Sequence, residues 1–142
     1  MPIQSYRDLI VWQRAMDLLT ECYRVARLLP PSETYALGAH LERAAVAVAA
    51  HIASGHARER SEFLESLTSA TALLREVETL LLAATRVCLL SGDQIQTAMA
   101  LGDEVGRMLW ALRRSGGAPH LQRGAAAAGQ GAGAAPGVTP LG

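Results

Sequence analysis

From Phe63 onward the apolar residues Leu67, Ala70, Leu74, Val77, Leu81, Ala84 and Cys88 follow one another in alternating steps of four and three. Steps of that kind keep side chains on one stripe of an α-helix, whereas a strand turns every second residue to the opposite face. A seam this long commits the chain to a long helix lying beside other helices at shallow angles of about +20°. Leu73, Leu80 and Val87 form a second stripe that widens the apolar arc. The residues available for the core agree with this. Half the chain is hydrophobic but only 4% is aromatic, so the core must be aliphatic and alanine-rich, which suits helices packed on helices better than a sheet.

The punctuation around that seam predicts three further helices. The first runs over residues 5–29 and stops at Pro30-Pro31, which cannot continue it. The second covers 33–54, with Ser32 as its N-cap, Glu33 in the first turn and Gly55 closing it. The seam helix occupies 61–90. A fourth, over 92–114, begins at a capping box formed by Ser91 and Gln94. The expected fold is all-α, an antiparallel four-helix bundle in up-down-up-down order occupying residues 1–115. Residues 116–142 are glycine, alanine and proline with almost no charge or period, and they read as a disordered tail.

The first predicted helix carries two apolar stripes. Leu9, Trp12, Met16, Leu19, Tyr23 and Ala26 form one; Val11, Ala15, Leu18, Cys22, Val25 and Leu29 form the other. A helix of a monomeric bundle needs one such stripe, so the second calls for another neighbour, and a second copy of the chain supplies it most simply. Val11, Ala15, Leu18, Cys22 and Val25 are the candidate oligomer interface. The second helix contains "RAAVAVAAHIASG", residues 43–55, whose alanines let a neighbouring helix come within about 8 Å of its axis.

The chemistry available is sparse. Thirteen basic residues balance thirteen acidic ones, and every basic residue is arginine. Without lysine there is no Schiff-base amine and no phosphate-loop lysine. No histidine has a carboxylate three positions before it, which excludes the Glu-x-x-His pairs of di-iron bundles. No serine or cysteine has a histidine as helical neighbour to make a dyad. No catalytic residue, metal ligand or cofactor is expected, and the chain reads as a non-enzyme. Cys22 and Cys88 lie inside apolar helical patterns and read as buried reduced thiols. No apolar core precedes Arg7 and Asp8 as a signal peptide would require, and no uncharged run approaches the roughly 18–20 residues of a membrane span. A cytoplasmic setting is the expectation. Arg43 with Glu76 and Glu78 is the candidate structural ion pair, because a carboxylate beside a packed seam needs a partner. Arg7, Arg14, Arg24 and Arg27 are the candidate nucleic-acid contacts, although Asp8, Asp17 and Glu21 are interleaved with them.

Several stretches carry a family resemblance: "YRDLIVWQRAMDL" (6–18), "LPPSETYALGAHLERAAVAVAAHIASGHAR" (29–58), then "LREVETLLLAA", "LLSGDQI" and "EVGRMLWAL". In this order, over roughly residues 5–115, the chain resembles the four-helix-bundle proteins encoded in intervening sequences of bacterial large-subunit rRNA genes. The most specific pieces are Val11-Trp12-Gln13, Tyr35-x-Leu37, Arg43-Ala44-Ala45 and Glu76-x-Glu78. That family is similar to the accessory variability proteins of diversity-generating retroelements, so the resemblance implies a homo-pentameric ring. It also implies a second reading, an RNA-binding accessory subunit that partners a reverse transcriptase. The chain departs from the family pattern in its second helix, where Ala47, Ala49, His51 and Ser54 stand for serine, proline, asparagine and glutamate. Replacement by mostly small residues points to helix packing rather than to a retained polar site.

Overall fold

A computed structural model describes residues 3–118. Four helices form it: α1 (Ile10–Ala26), α2 (Ala39–His56), α3 (Arg60–Arg86) and α4 (Gly92–Arg114). They stand in a square in which each helix packs chiefly on the two beside it, α1 closing the ring against α4. The contacts run in opposite senses along α2 and α3: Gly55, near the end of α2, lies against Phe63 and Ser66, while His40 at its start meets Glu76. They do so again along α3 and α4, where Gly102 meets Glu78 and Gly117 meets Phe63. Antiparallel packing is thus seen for α2–α3 and α3–α4, within the all-α four-helix fold read from the sequence.

The seam residues do what their spacing implied. Phe63, Leu67, Ala70, Leu74, Val77, Leu81 and Ala84 are all buried on α3. They share one continuous core with Leu18, Val48, Ile52, Leu109 and Leu112 from the other three helices. Alanine and glycine at 70, 98 and 102 are buried as well, the small contacts that let aliphatic layers close without large rings.

The ends of α1, α2 and α3 depart from expectation, each for a local reason. Ser5 does form a capping box, its Oγ accepting from the Arg7 amide while Asp8 accepts from the Ser5 amide. The box holds only the single 3-10 turn Tyr6–Asp8, because Leu9 then turns extended and buries its side chain fully. α1 starts after it. Between α1 and α2 the chain makes a 3-10 turn, Pro31–Glu33, and a π-turn, Thr34–Gly38, so Ser32 is not an N-cap. Glu33 instead accepts from the Leu37 amide. Gly55 does not end α2 either. It lies inside the helix, and an added Cβ would stand 2.3 Å from Ser66 Cβ.

α3 stops at Arg86, four residues short of the expected end. Cys88 adopts a left-handed φ of 64°, and the amides of Leu89 and Leu90 both turn back to the Ala84 carbonyl. Cys88 is consequently exposed, outside the seam assigned to it. Ser91 and Gln94 cap α4 reciprocally, as their spacing predicted. At its far end the Gly117 amide bonds Leu112, and Gly117 and Ala118 are buried, so packing extends beyond the expected boundary at 115. The disorder expected for the rest of the tail concerns residues 119–142, which lie outside the described residues.

Candidate interaction surfaces

The five residues expected at an oligomer interface are the bundle's own core. Val11, Ala15, Leu18, Cys22 and Val25 are all completely buried within the single chain. A side chain with no free surface cannot also meet a second copy, so that assignment is corrected. The reason is geometric: α1 sits between α2 and α4, and its central stripe faces the middle of the square. Burial pushes the Cys22 thiol up to about 12, with the neighbouring Glu21 charge adding to the shift. The other stripe is the one left over. Trp12, Met16, Leu19 and Tyr23 are half-buried on the flank of α1, about 100° round from the core stripe. Trp12 also meets Tyr6 edge-to-face at 5.1 Å.

The expected ion pair is not assembled. Glu76 Oε2 lies 2.6 Å from His40 Nε2, linking α2 to α3, and Glu78 accepts from Arg75 at 2.9 Å along α3. Arg43 is exposed and enters none of the ion pairs among the described residues. Sequence spacing puts Glu76 and Glu78 on different faces of α3, one of them toward a neighbouring helix, but does not tell which residue of that helix stands opposite. The helix register brings His40 there.

Arg7, Arg14, Arg24 and Arg27 do not make one basic strip: only Arg14 and Arg24 lie on α1, Arg7 being in the preceding 3-10 turn and Arg27 just past the helix. Arg14 donates to Asp17 and to Glu104 of α4, both at 3.0 Å, and these carboxylates raise its pKa. Arg24 grips Glu21, its Nε 3.0 Å from both carboxylate oxygens, and its pKa is raised by that bond. Arg7 lies 5.0 Å over the Tyr6 ring. Arg27 is exposed. Half of the strip is thus neutralised by local carboxylates.

A different surface went unnoticed in the sequence. Leu64 and Thr68 of α3 with Trp110, Arg113 and Arg114 of α4 line a shallow, open depression. Trp110 is 58% exposed, and the Arg114 guanidinium lies 4.8 Å from its ring centroid. The signal was the run Trp110-Ala-Leu-Arg-Arg at the end of the last helix, where an indole falls one helical turn before two cations.

Among the described residues, no three His, Cys, Asp or Glu side chains gather as a metal site would require. No described helix is long and apolar enough to cross a membrane. No curated protein matches the chain. One family model matches the chain from its first turn to the last turn of α4. Over residues 7–111, the chain belongs to the 23S rRNA-intervening sequence protein family.

Proposed function

We propose that this protein is a non-enzymatic helical scaffold that assembles with copies of itself, the pentamer being the state that the family resemblance implies. The observation that carries this reading is the second α1 stripe. Trp12, Met16 and Leu19 pack against the rim of the core and, with Tyr23 beside them, keep part of their surface in water along one flank of α1. Apolar area left in water on one flank is the usual mark of an association surface. Light scattering at micromolar concentration tests it, with a mass five times the 15.0 kDa chain expected. Met16→Asp should dissociate the assembly and keep its helical circular dichroism. Leu18→Asp should instead unfold the chain, because an unpaired carboxylate in the core costs several kcal/mol. A monomeric wild-type protein would sink the proposal.

The second reading, an RNA-binding accessory subunit that partners a reverse transcriptase, relied on Arg7, Arg14, Arg24 and Arg27. It is the weaker reading for α1, since two of the four are engaged by carboxylates. A cytoplasmic setting remains part of the proposal, resting on the reduced cysteines and on the lack of any membrane-length apolar run noted in the sequence.

A further inference from the structure

We propose that the depression between α3 and α4 is a binding site for single-stranded nucleic acid, with a base stacked at Trp110 and phosphates held by Arg60, Arg113 and Arg114. Three independent features meet there. The first is the indole itself, more than half in water at a position where the helix could have carried any polar residue. The second is a set of uncommitted cations. None of the ion pairs among the described residues involves Arg60, Arg113 or Arg114, in contrast to Arg14, Arg24 and Arg75. Arg60, at the start of α3, reaches the same end of the bundle, its Nη1 3.5 Å from where a Gly116 Cβ would stand. The helix dipole accounts for arginines in the last turn of α4 but not for the exposed ring beside them.

The third feature is how charge is distributed along the chain. Its neutral total conceals a segregation: the last carboxylate residue is Glu104, while Arg107, Arg113, Arg114 and Arg123 all follow it. The end of α4 and the sequence beyond it thus carry only positive side-chain charge, which complements a polyanion on that wall. The facing start of α3 exposes Glu59, Glu62 and Glu65 beside Arg60 and holds the bound strand to the α4 side. The shape selects the kind of polyanion. A partner helix would need a row of apolar anchors three and four residues apart in a groove. Here there is one ring and one leucine in an open hollow. That suits a single flat base, while the arginines follow the backbone. A duplex, with its bases stacked internally, offers the ring nothing.

This inference does not depend on oligomeric state, because the site is complete within one chain. The test is fluorescence anisotropy of a labelled 12-nucleotide oligouridylate with the full chain, across 50–200 mM salt. Binding in the 1–100 μM range is expected at the lower salt, weakening as salt rises. Trp110→Ala should weaken it about tenfold, Trp110→Phe should restore most of the loss, and Arg113→Gln with Arg114→Gln should flatten the salt dependence. Circular dichroism confirms that each variant remains helical, and the conservative Trp110→Phe variant keeps the comparison decisive if Trp110→Ala does not fold. An Arg7→Gln, Arg27→Gln variant should bind as the wild type does. Absence of binding at 100 μM protein overturns the proposal, as does binding indifferent to Trp110. Equal affinity for a duplex of the same length would also overturn it. So would displacement by polyglutamate as effective as by unlabelled oligouridylate, which would assign the site to an acidic peptide.

Discussion

A methyl group added at position 55 would fall 2.3 Å from Ser66 Cβ and 2.4 Å from Ser66 Oγ, at the loop end of the α2–α3 contact. The two helices approach as they do because residue 55 has no side chain. Gly55→Ala is therefore expected to destabilise the protein by about 1–3 kcal/mol through overpacking, although alanine is the better helix former. Gly92, at the start of α4, has nothing within 4 Å of its would-be Cβ, and Gly92→Ala should be neutral or slightly stabilising. Urea midpoints at one protein concentration check the pair. Sequence alone reads Gly55 as a helix stop, since a glycine after a periodic run looks the same whether it ends a helix or admits a neighbour. Cys22 shows a different residue-scale effect. Its buried thiol holds its proton from an ordinary value of 9.0 up to about 12. A raised pKa in the folded state stabilises fully below the unfolded value and is lost as pH rises, so this contribution fades between about pH 9 and 12. Cys22→Val should flatten the fall in stability over that window. In the native protein iodoacetamide should label Cys88 and spare Cys22, giving one modified thiol per chain by mass spectrometry.

At the scale of the helix, periodicity is legible throughout, and termini only where a cap spells them out, as Ser91 and Gln94 do for α4, whose expected span 92–114 is the one found. The α3 seam occupies the core at every position from Phe63 to Ala84, because burying a stripe is a property of the whole helix and tolerates local detail. Ends depend on a few hydrogen bonds and on what the next segment must reach. The run continues apolar to Leu90, yet the backbone reverses at Cys88 so that Ser91 can cap α4. Cys88 holds a left-handed φ of 64°, a conformation that costs a residue with a Cβ roughly 1–2 kcal/mol. Cys88→Gly should raise stability by up to about 1 kcal/mol, net of glycine's larger freedom when unfolded, and thermal melts would show it. A lowered melting temperature would mean that the thiol packs more than its exposure implies. The interface error on α1 has a related cause. Two stripes were visible, but which faced inward depended on where α2 and α4 stand, and a one-dimensional pattern does not contain that. The surface at Trp110 was missed because it joins residues of two helices more than forty positions apart.

For the molecule as a whole, the family and the bundle were legible because both rest on distributed features: the heptad spacing, the Ser91–Gln94 cap and the ordered motifs from Val11-Trp12-Gln13 onward. The charge partners were not, since an arginine on a mixed face has several carboxylates within reach and only three-dimensional register chooses among them. One of those choices has a kinetic consequence. The interfaces α1–α2, α2–α3 and α3–α4 join helices consecutive in the chain, and α2 passes to α3 through residues 57–59 alone. Such hairpins form with little loop-closure entropy. The α1–α4 contact is the exception, and Arg14 with Glu104 bridges it across a separation of 90 residues. Closing the square at that seam should be the late event of folding, after the transition state has built the hairpins. Arg14→Ala should then speed unfolding in stopped-flow denaturant jumps while the refolding rate stays nearly unchanged. A slowed refolding limb would place that clasp in the nucleus instead. On this ordering the ion pair is less a strut than a latch: it sets how long the ring of helices stays shut, not how quickly it forms.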